Sequence, residues 1–96
     1  MRLPLALVVA VSSASPALAR DLFVTSLLSD EVLRYNQITG MFIDAFVPAG
    51  SGGLDGPQGI AFGPDGTMYV AAEYSHSIHR FDGATGAPMS PLATGL

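Results

Sequence analysis

The chain has 96 residues, with four Lys or Arg against eight Asp or Glu, so its formal net charge is −4, and it contains no cysteine. Such an acidic balance argues against nucleic-acid binding, which depends on clustered basic side chains that neutralise phosphates. The absence of cysteine excludes a disulfide within the chain.

The N-terminal segment has the pattern of a secretory leader. Met1-Arg2 gives a short positive start, Leu3–Val11 is almost wholly apolar, and small residues then lead to Ala17-Leu18-Ala19. This order is typical of a signal peptide cleaved after an A-x-A site, whereas a membrane anchor needs about 20 apolar residues. We expect residues 1–19 to be a signal peptide, residues 20–96 to be the mature domain, and the protein to be secreted or periplasmic, without a membrane span.

After the leader, short apolar runs separated by turn residues predict β-strands and no helix of useful length. The predicted strands, in chain order, are Leu22–Ser26, Glu31–Tyr35, Met41–Val47, Gly59–Phe62, Thr67–Ala72, Ser77–Phe81 and Ala87–Leu92. The clearest turn is Gly63-Pro64-Asp65-Gly66, where proline fixes φ and Asp-Gly tolerates the left-handed region. The last run contains two prolines, which cannot donate to a ladder, so we expect an outer edge strand or none.

The sequence also repeats itself at a spacing of 46 residues without a gap. Of the 19 pairs between residues 22–40 and 68–86, five are identical, including Arg34/Arg80 and Gly40/Gly86. A period of about 40–50 residues with short strands and Gly-rich turns is typical of propeller blades.

The predicted fold is therefore all-β, with antiparallel four-stranded meanders arranged as β-propeller blades. The last four predicted strands form one blade, and residues 22–47 supply the last three strands of the blade before it. The repeat places Val24/Val70 and Val32/Ile78 in matching buried positions. Fewer than two blades of a larger ring are present, and this part alone is expected to be marginally stable, because an isolated blade leaves an apolar face uncovered.

The segment Leu54–Val70, which contains Asp-Gly-Pro-Gln-Gly-Ile and Gly-Pro-Asp-Gly, resembles the blade signature of NHL-repeat β-propellers. That group also resembles SMP-30/gluconolactonase-like and streptogramin-lyase-like propellers, and Ser77–Asp82 fits the same blade. The resemblance implies a ring of about six blades. We therefore expect this N-terminal fragment to come from a longer or truncated gene, with completion by self-association as the alternative.

The resemblance also implies one candidate metal ligand. In SMP-30-like hydrolases an acid before Gly-Pro lies at the mouth of the central channel, and Asp55-Gly56-Pro57 occupies that place. A divalent cation such as Ca²⁺ needs several oxygen ligands, and the others would come from further blades. The same triplet is a plain turn in propellers that bind no metal, so no cofactor is the favoured expectation.

The remaining polar residues favour structural roles. His76 and His79 are three apart, which on a strand directs them to opposite faces, so they do not predict a metal pair. Asp65 and Asp82 are expected to form turns beside glycines. Arg34 and Arg80 recur at one position of the repeat, which favours packing between blades or an ion pair. No nucleophile, P-loop or dinucleotide motif is present, and no catalytic residue is predicted.

Two functions remain open at this point. The first is an exported, non-catalytic propeller that binds an unknown protein or small molecule through its loops. The second is a metal-dependent lactone hydrolase or lyase, with Asp55 at the channel mouth. The sequence favours the first, because it shows blade-forming residues and no convergent catalytic set.

Overall fold

The structure, a computed structural model, describes residues 11–12 and 21–96 and is all-β in this part. The strands are β1 (Val11–Ser12), β2 (Asp21–Ser26), β3 (Glu31–Asn36), β4 (Phe42–Val47), β5 (Pro57–Phe62), β6 (Met68–Ala72), β7 (Ser77–Phe81) and β8 (Pro88–Ala93). A short 3-10 turn, Ser51–Gly53, lies between β4 and β5. The predicted leader, residues 1–19, lies outside the described residues except for the backbone of β1.

The strands form two antiparallel meanders, with strand orders β1-β2-β3-β4 (sheet 1) and β5-β6-β7-β8 (sheet 2). Sheet 1 has three full strands, and its two-residue β1 pairs with Phe23 and Leu22 of β2. The predicted assignment of strands to blades is confirmed, and β8 is the outer edge strand of sheet 2. β5 begins two residues earlier than predicted, because Pro57 pairs with Ala72 across an irregularity at Gln58.

Identical turns close β3 and β7, as the repeat predicts. The side-chain Oδ1 of Asn36 accepts hydrogen bonds from the amides of Ile38 and Thr39, at 2.8 and 2.9 Å. Oδ1 of Asp82 accepts the same bonds from Ala84 and Thr85, at 2.8 and 3.1 Å. These Asx-type turns satisfy the backbone locally and set the register of the strand that follows. The role predicted for Asp82 is confirmed.

The core lies between the two sheets and is centred on Phe23, which is fully buried. Its ring lies 5.1 Å from the ring of Phe46 and 5.3 Å from the ring of Phe62, in edge-on and tilted arrangements that aromatic pairs prefer. The hydroxyl of Thr25 donates to the carbonyl of Gln58 at 2.9 Å, which joins β2 to β5. The two sheets therefore pack face against face, with β2 next to β5, as in neighbouring propeller blades.

The predicted burial at matching positions of the repeat is confirmed for Val24, Val70 and Val32, but it is wrong for Ile78. Val24 and Val70 are both buried, and Val32 is fully buried, but Ile78 is only partly buried. Val32 lies on the face of sheet 1 that sheet 2 covers. Ile78 lies on the corresponding face of sheet 2, which no other sheet of the described chain covers.

Among residues 11–12 and 21–96, no helix has the length and apolar character needed to cross a bilayer.

Candidate functional site

The predicted ligand Asp55 lies where two turns and the linker between the sheets meet. We call this the turn end and define it as residues 27–30, 54–56 and 73–76. The carbonyl of Asp55 accepts a hydrogen bond from the amide of Tyr74 at 3.2 Å, and the carbonyl of Gly56 accepts one from Glu73 at 2.8 Å. These bonds attach the linker to the β6–β7 turn just before the chain enters β5.

Asp30 fixes the other side of the turn end, and sequence reasoning missed it. Its Oδ1 accepts a hydrogen bond from the amide of Gly56 at 2.8 Å, and its carbonyl accepts one from Gly50 at 3.0 Å. Asp30 has φ of 60°, a conformation that Asp adopts more readily than most residues. An aspartate directly before the predicted strand Glu31–Tyr35 was the available signal, but Gly50 and Gly56 lie 20 and 26 residues away in the sequence.

The exposed side chains of the turn end determine what it can bind. Asp55 and Glu73 are exposed, and the side-chain amide of Gln58 donates a hydrogen bond to the carboxylate of Glu73. Leu28 and Tyr74 of the turn end are about half exposed. Such a surface can accept hydrogen bonds from a ligand and offer two apolar contacts to it.

The metal prediction for Asp55 stays a prediction. In the described part of the chain, no group of three or more His, Cys, Asp or Glu side chains is placed to hold a metal ion. Asp55 therefore supplies one exposed carboxylate, whereas a Ca²⁺ site needs six to eight oxygen ligands.

The two histidines do not converge. His76 belongs to the turn before β7, with φ of 51°, and is exposed. His79 lies inside β7, is 5% exposed, and its Nε2 lies 2.9 Å from the hydroxyl of Ser77. Its ring stacks near Phe81, whereas the equivalent residue of the first repeat, Leu33, is only partly buried. The structural role predicted for His79 is confirmed.

Burial gives His79 a pH-dependent effect on stability. Desolvation lowers the pKa of His79 below its ordinary value of 6.5. As pH falls through 6.5, the unfolded chain gains a proton that the folded chain does not bind, so the free energy of unfolding decreases until the lower folded pKa is reached. We expect urea denaturation of the native chain to show this loss as the pH is lowered from neutral through 6.5.

The matched variant is His79→Leu, which installs the residue found at the equivalent position 33. This variant is expected to show a weaker pH dependence over the same range. An identical pH dependence in both proteins would contradict the assignment and point to the carboxylates or to His76.

The ion pair predicted as one alternative for the recurring arginines is present at Arg34, but the described residues hold none at Arg80. Arg34 makes a bidentate pair with Asp44 on the neighbouring strand β4, with N–O distances of 3.0 and 2.7 Å, and its guanidinium lies 5.0 Å from the centre of the Phe46 ring. The hydrogen bonds to Asp44 raise the pKa of Arg34. Arg80 instead donates to the carbonyl and hydroxyl of Ser90.

A groove of about 440 Å³ runs beside Arg34 between β4 and the β7–β8 turn. The guanidinium of Arg34 is already paired with Asp44, and the other side of the groove is lined by the uncharged residues 84–88. The groove therefore offers no unpaired charge to a ligand.

Asp65 also has the turn role expected for it. Its Oδ1 accepts a hydrogen bond from the amide of Thr67 at 3.0 Å, and this bond lowers the pKa of the exposed Asp65 carboxyl. The Gly63–Gly66 segment is closed by a backbone bond from the Gly66 amide to the Gly63 carbonyl. The signature residues of the second repeat thus build turns and core.

Comparison with known proteins adds no relative. The chain matches none of the protein-family profiles against which it was scanned, and a search of curated proteins finds no significant match.

Proposed function

We propose that this chain is part of an exported β-propeller of the NHL-repeat type that serves as a binding scaffold. The observation that carries the proposal is that several of its acidic side chains already bind the chain's own backbone. Asp30, Asp65 and Asp82 accept hydrogen bonds from the chain's own backbone. What remains for a ligand is the exposed surface of the turn end, where loops held by a rigid scaffold commonly bind partners.

The proposed family placement rests on how the two sheets are built. Each is an antiparallel meander, and the second repeats the first at 46 residues down to the bonds of its Asx turn. A propeller is built from small antiparallel sheets of this kind, which repeat along the chain and pack face against face. Among propellers, the NHL-repeat group is proposed because Leu54–Val70 resembles its blade signature.

Export is proposed from the order of positive, apolar and small residues at the N-terminus. Expression of the full chain in a secreting host should yield a protein whose N-terminus is Arg20. Intact-mass measurement of the exported material tests this directly, and a mass that still includes residues 1–19 would contradict it.

A metal-dependent lactone hydrolase or lyase is the second candidate function. It is favoured by one observation, which is that Asp55 is exposed and lies just before β5, the first strand of sheet 2. A single carboxylate binds a divalent cation weakly, because the ion's remaining coordination positions are filled by water alone.

Calorimetric titration with Ca²⁺, Mg²⁺, Mn²⁺ and Zn²⁺ separates the two functions. The scaffold predicts no saturable binding in the micromolar range, and no difference between the native chain and Asp55→Asn. Asp65→Asn is the matched control, since Asp65 is also exposed and an Asn oxygen can still accept the bond from Thr67. Tight binding that is lost in Asp55→Asn but kept in Asp65→Asn would establish the metal site and overturn the scaffold proposal.

A further inference from the structure

The face of sheet 2 that is exposed to solvent is the repeat equivalent of the face of sheet 1 that is buried against sheet 2. The residues of sheet 1 that meet sheet 2 include Phe23, Val32, Arg34 and Phe46, and the residues 46 positions later are Tyr69, Ile78, Arg80 and Leu92. Phe23 and Val32 are fully buried and Phe46 is 6% exposed, whereas Leu92 is 57% exposed. Tyr69, Ile78 and Arg80 are only partly buried. We call this second set the outer face of sheet 2.

Sheet 1 shows the converse on its opposite side. Met68, Val70, His79 and Phe81 of sheet 2 are buried against sheet 1 and the linker. Their equivalents 46 positions earlier are Leu22, Val24, Leu33 and Tyr35, which form the outer face of sheet 1. Leu22, Leu33 and Tyr35 are only partly buried there, whereas Val24 is buried between them.

The two outer faces are thus the repeat equivalents of the two faces that already pack together inside the chain. We propose that the outer face of sheet 2 binds the outer face of sheet 1 of a second copy of this chain, head to tail. The partner is argued from the chain's own internal interface, which supplies both the residue types and the packing geometry. Such a heterologous contact either closes into a ring or continues as a filament.

A glycine marks where the two copies come closest. Within the chain, Gly86 lies so near the carbonyl oxygen of Phe46 that a Cβ there would collide with it. The equivalents of these two residues are Gly40 and Leu92, and Gly40 has open space around it in a single copy. In the proposed assembly, Gly40 of one copy lies against the Leu92 carbonyl of the next.

The association is tested by sedimentation velocity and light scattering of the purified chain between about 1 and about 100 µM, which covers the affinities of weak specific interfaces. The native chain is expected to form species larger than a dimer as concentration rises. Ile78→Asp places a charge on the outer face of sheet 2, and Gly40→Ala adds a methyl group at the edge of the opposite contact. Each variant alone is expected to stay monomeric.

Mixing the two variants gives the sharpest readout. The Ile78→Asp copy retains an intact outer face of sheet 1, and the Gly40→Ala copy retains an intact outer face of sheet 2. An equimolar mixture is therefore expected to form dimers and nothing larger. Gly50→Ala is the matched control for Gly40→Ala, because Gly50 also has positive φ and open space but lies in the linker, and this variant should associate like the native chain.

Circular dichroism at the lowest concentration checks that each variant keeps its strands. A native chain that stays monomeric up to 100 µM, within the range stated above, would overturn the proposal. Association that survives both variants, or a mixture of folded variants that stays monomeric, would overturn it as well.

Discussion

Gly86→Ala is expected to disrupt the contact between the two sheets and to destabilise the domain by about 2–5 kcal/mol. Gly86 has φ of +79°, which costs an alanine about 1–2 kcal/mol. The added methyl group also meets the carbonyl oxygen of Phe46, which belongs to the backbone and cannot rotate away. Relief of that collision requires the β7–β8 turn to move off sheet 1, and overpacking of this kind costs about 1–3 kcal/mol more.

Gly40→Ala separates the two causes. Gly40 holds the same place in the first repeat, with φ of +76°, but it has open space around it. Its substitution should therefore cost only the conformational part, about 1–2 kcal/mol. Urea unfolding of dilute samples, followed by circular dichroism, measures both values. Equal losses in the two variants would show that the close approach of Gly86 to Phe46 is absent.

Phe23→Ala is expected to have the largest effect of any core truncation, about 3–5 kcal/mol. The ring of Phe23 is fully buried and contacts the rings of both Phe46 and Phe62, so its loss opens a cavity between the sheets. A domain of this size has roughly 0.05–0.15 kcal/mol of stability per residue. The variant should therefore be largely unfolded at 25 °C.

Tyr69→Ala is the matched comparison for Phe23→Ala. Tyr69 is the repeat equivalent of Phe23, but its ring is only partly buried on the outer face of sheet 2. Its truncation should cost about 1 kcal/mol in a dilute, monomeric sample. A loss as large as that of Phe23→Ala would mean that the outer face of sheet 2 is covered within a single chain.

The features that the sequence predicted correctly are those that depend on local chemistry. The strands, the Asx turn of Asp82 and the edge position of β8 follow from period, turn residues and proline, each read within a few residues. The 46-residue repeat then gave the grouping of strands into two sheets. This is why the fold class was predictable without any relative.

The features that the sequence did not predict depend on which surface covers which. Val32 and Ile78 are similar side chains at the same position of the repeat, yet only Val32 has another sheet packed on it. Asp30 binds Gly56, 26 residues away, and the partner of His79 is a serine that carries no motif. At the candidate site, the Asp-Gly-Pro triplet predicted a turn at Asp55, but the neighbours brought there by Asp30 and Glu73 were not predictable.

The two repeats fold into separate meanders, and the face that sheet 1 turns toward sheet 2 is the repeat equivalent of the face that sheet 2 turns away from sheet 1. Nuclear Overhauser effects between side chains test this packing most directly. Cross-peaks are expected from the ring of Phe23 to the rings of both Phe46 and Phe62, together with contacts between Gly86 and Phe46. Strand-like shifts without any cross-peak between Phe23 and Phe62, or helical shifts in residues 21–96, would contradict this packing of the two sheets.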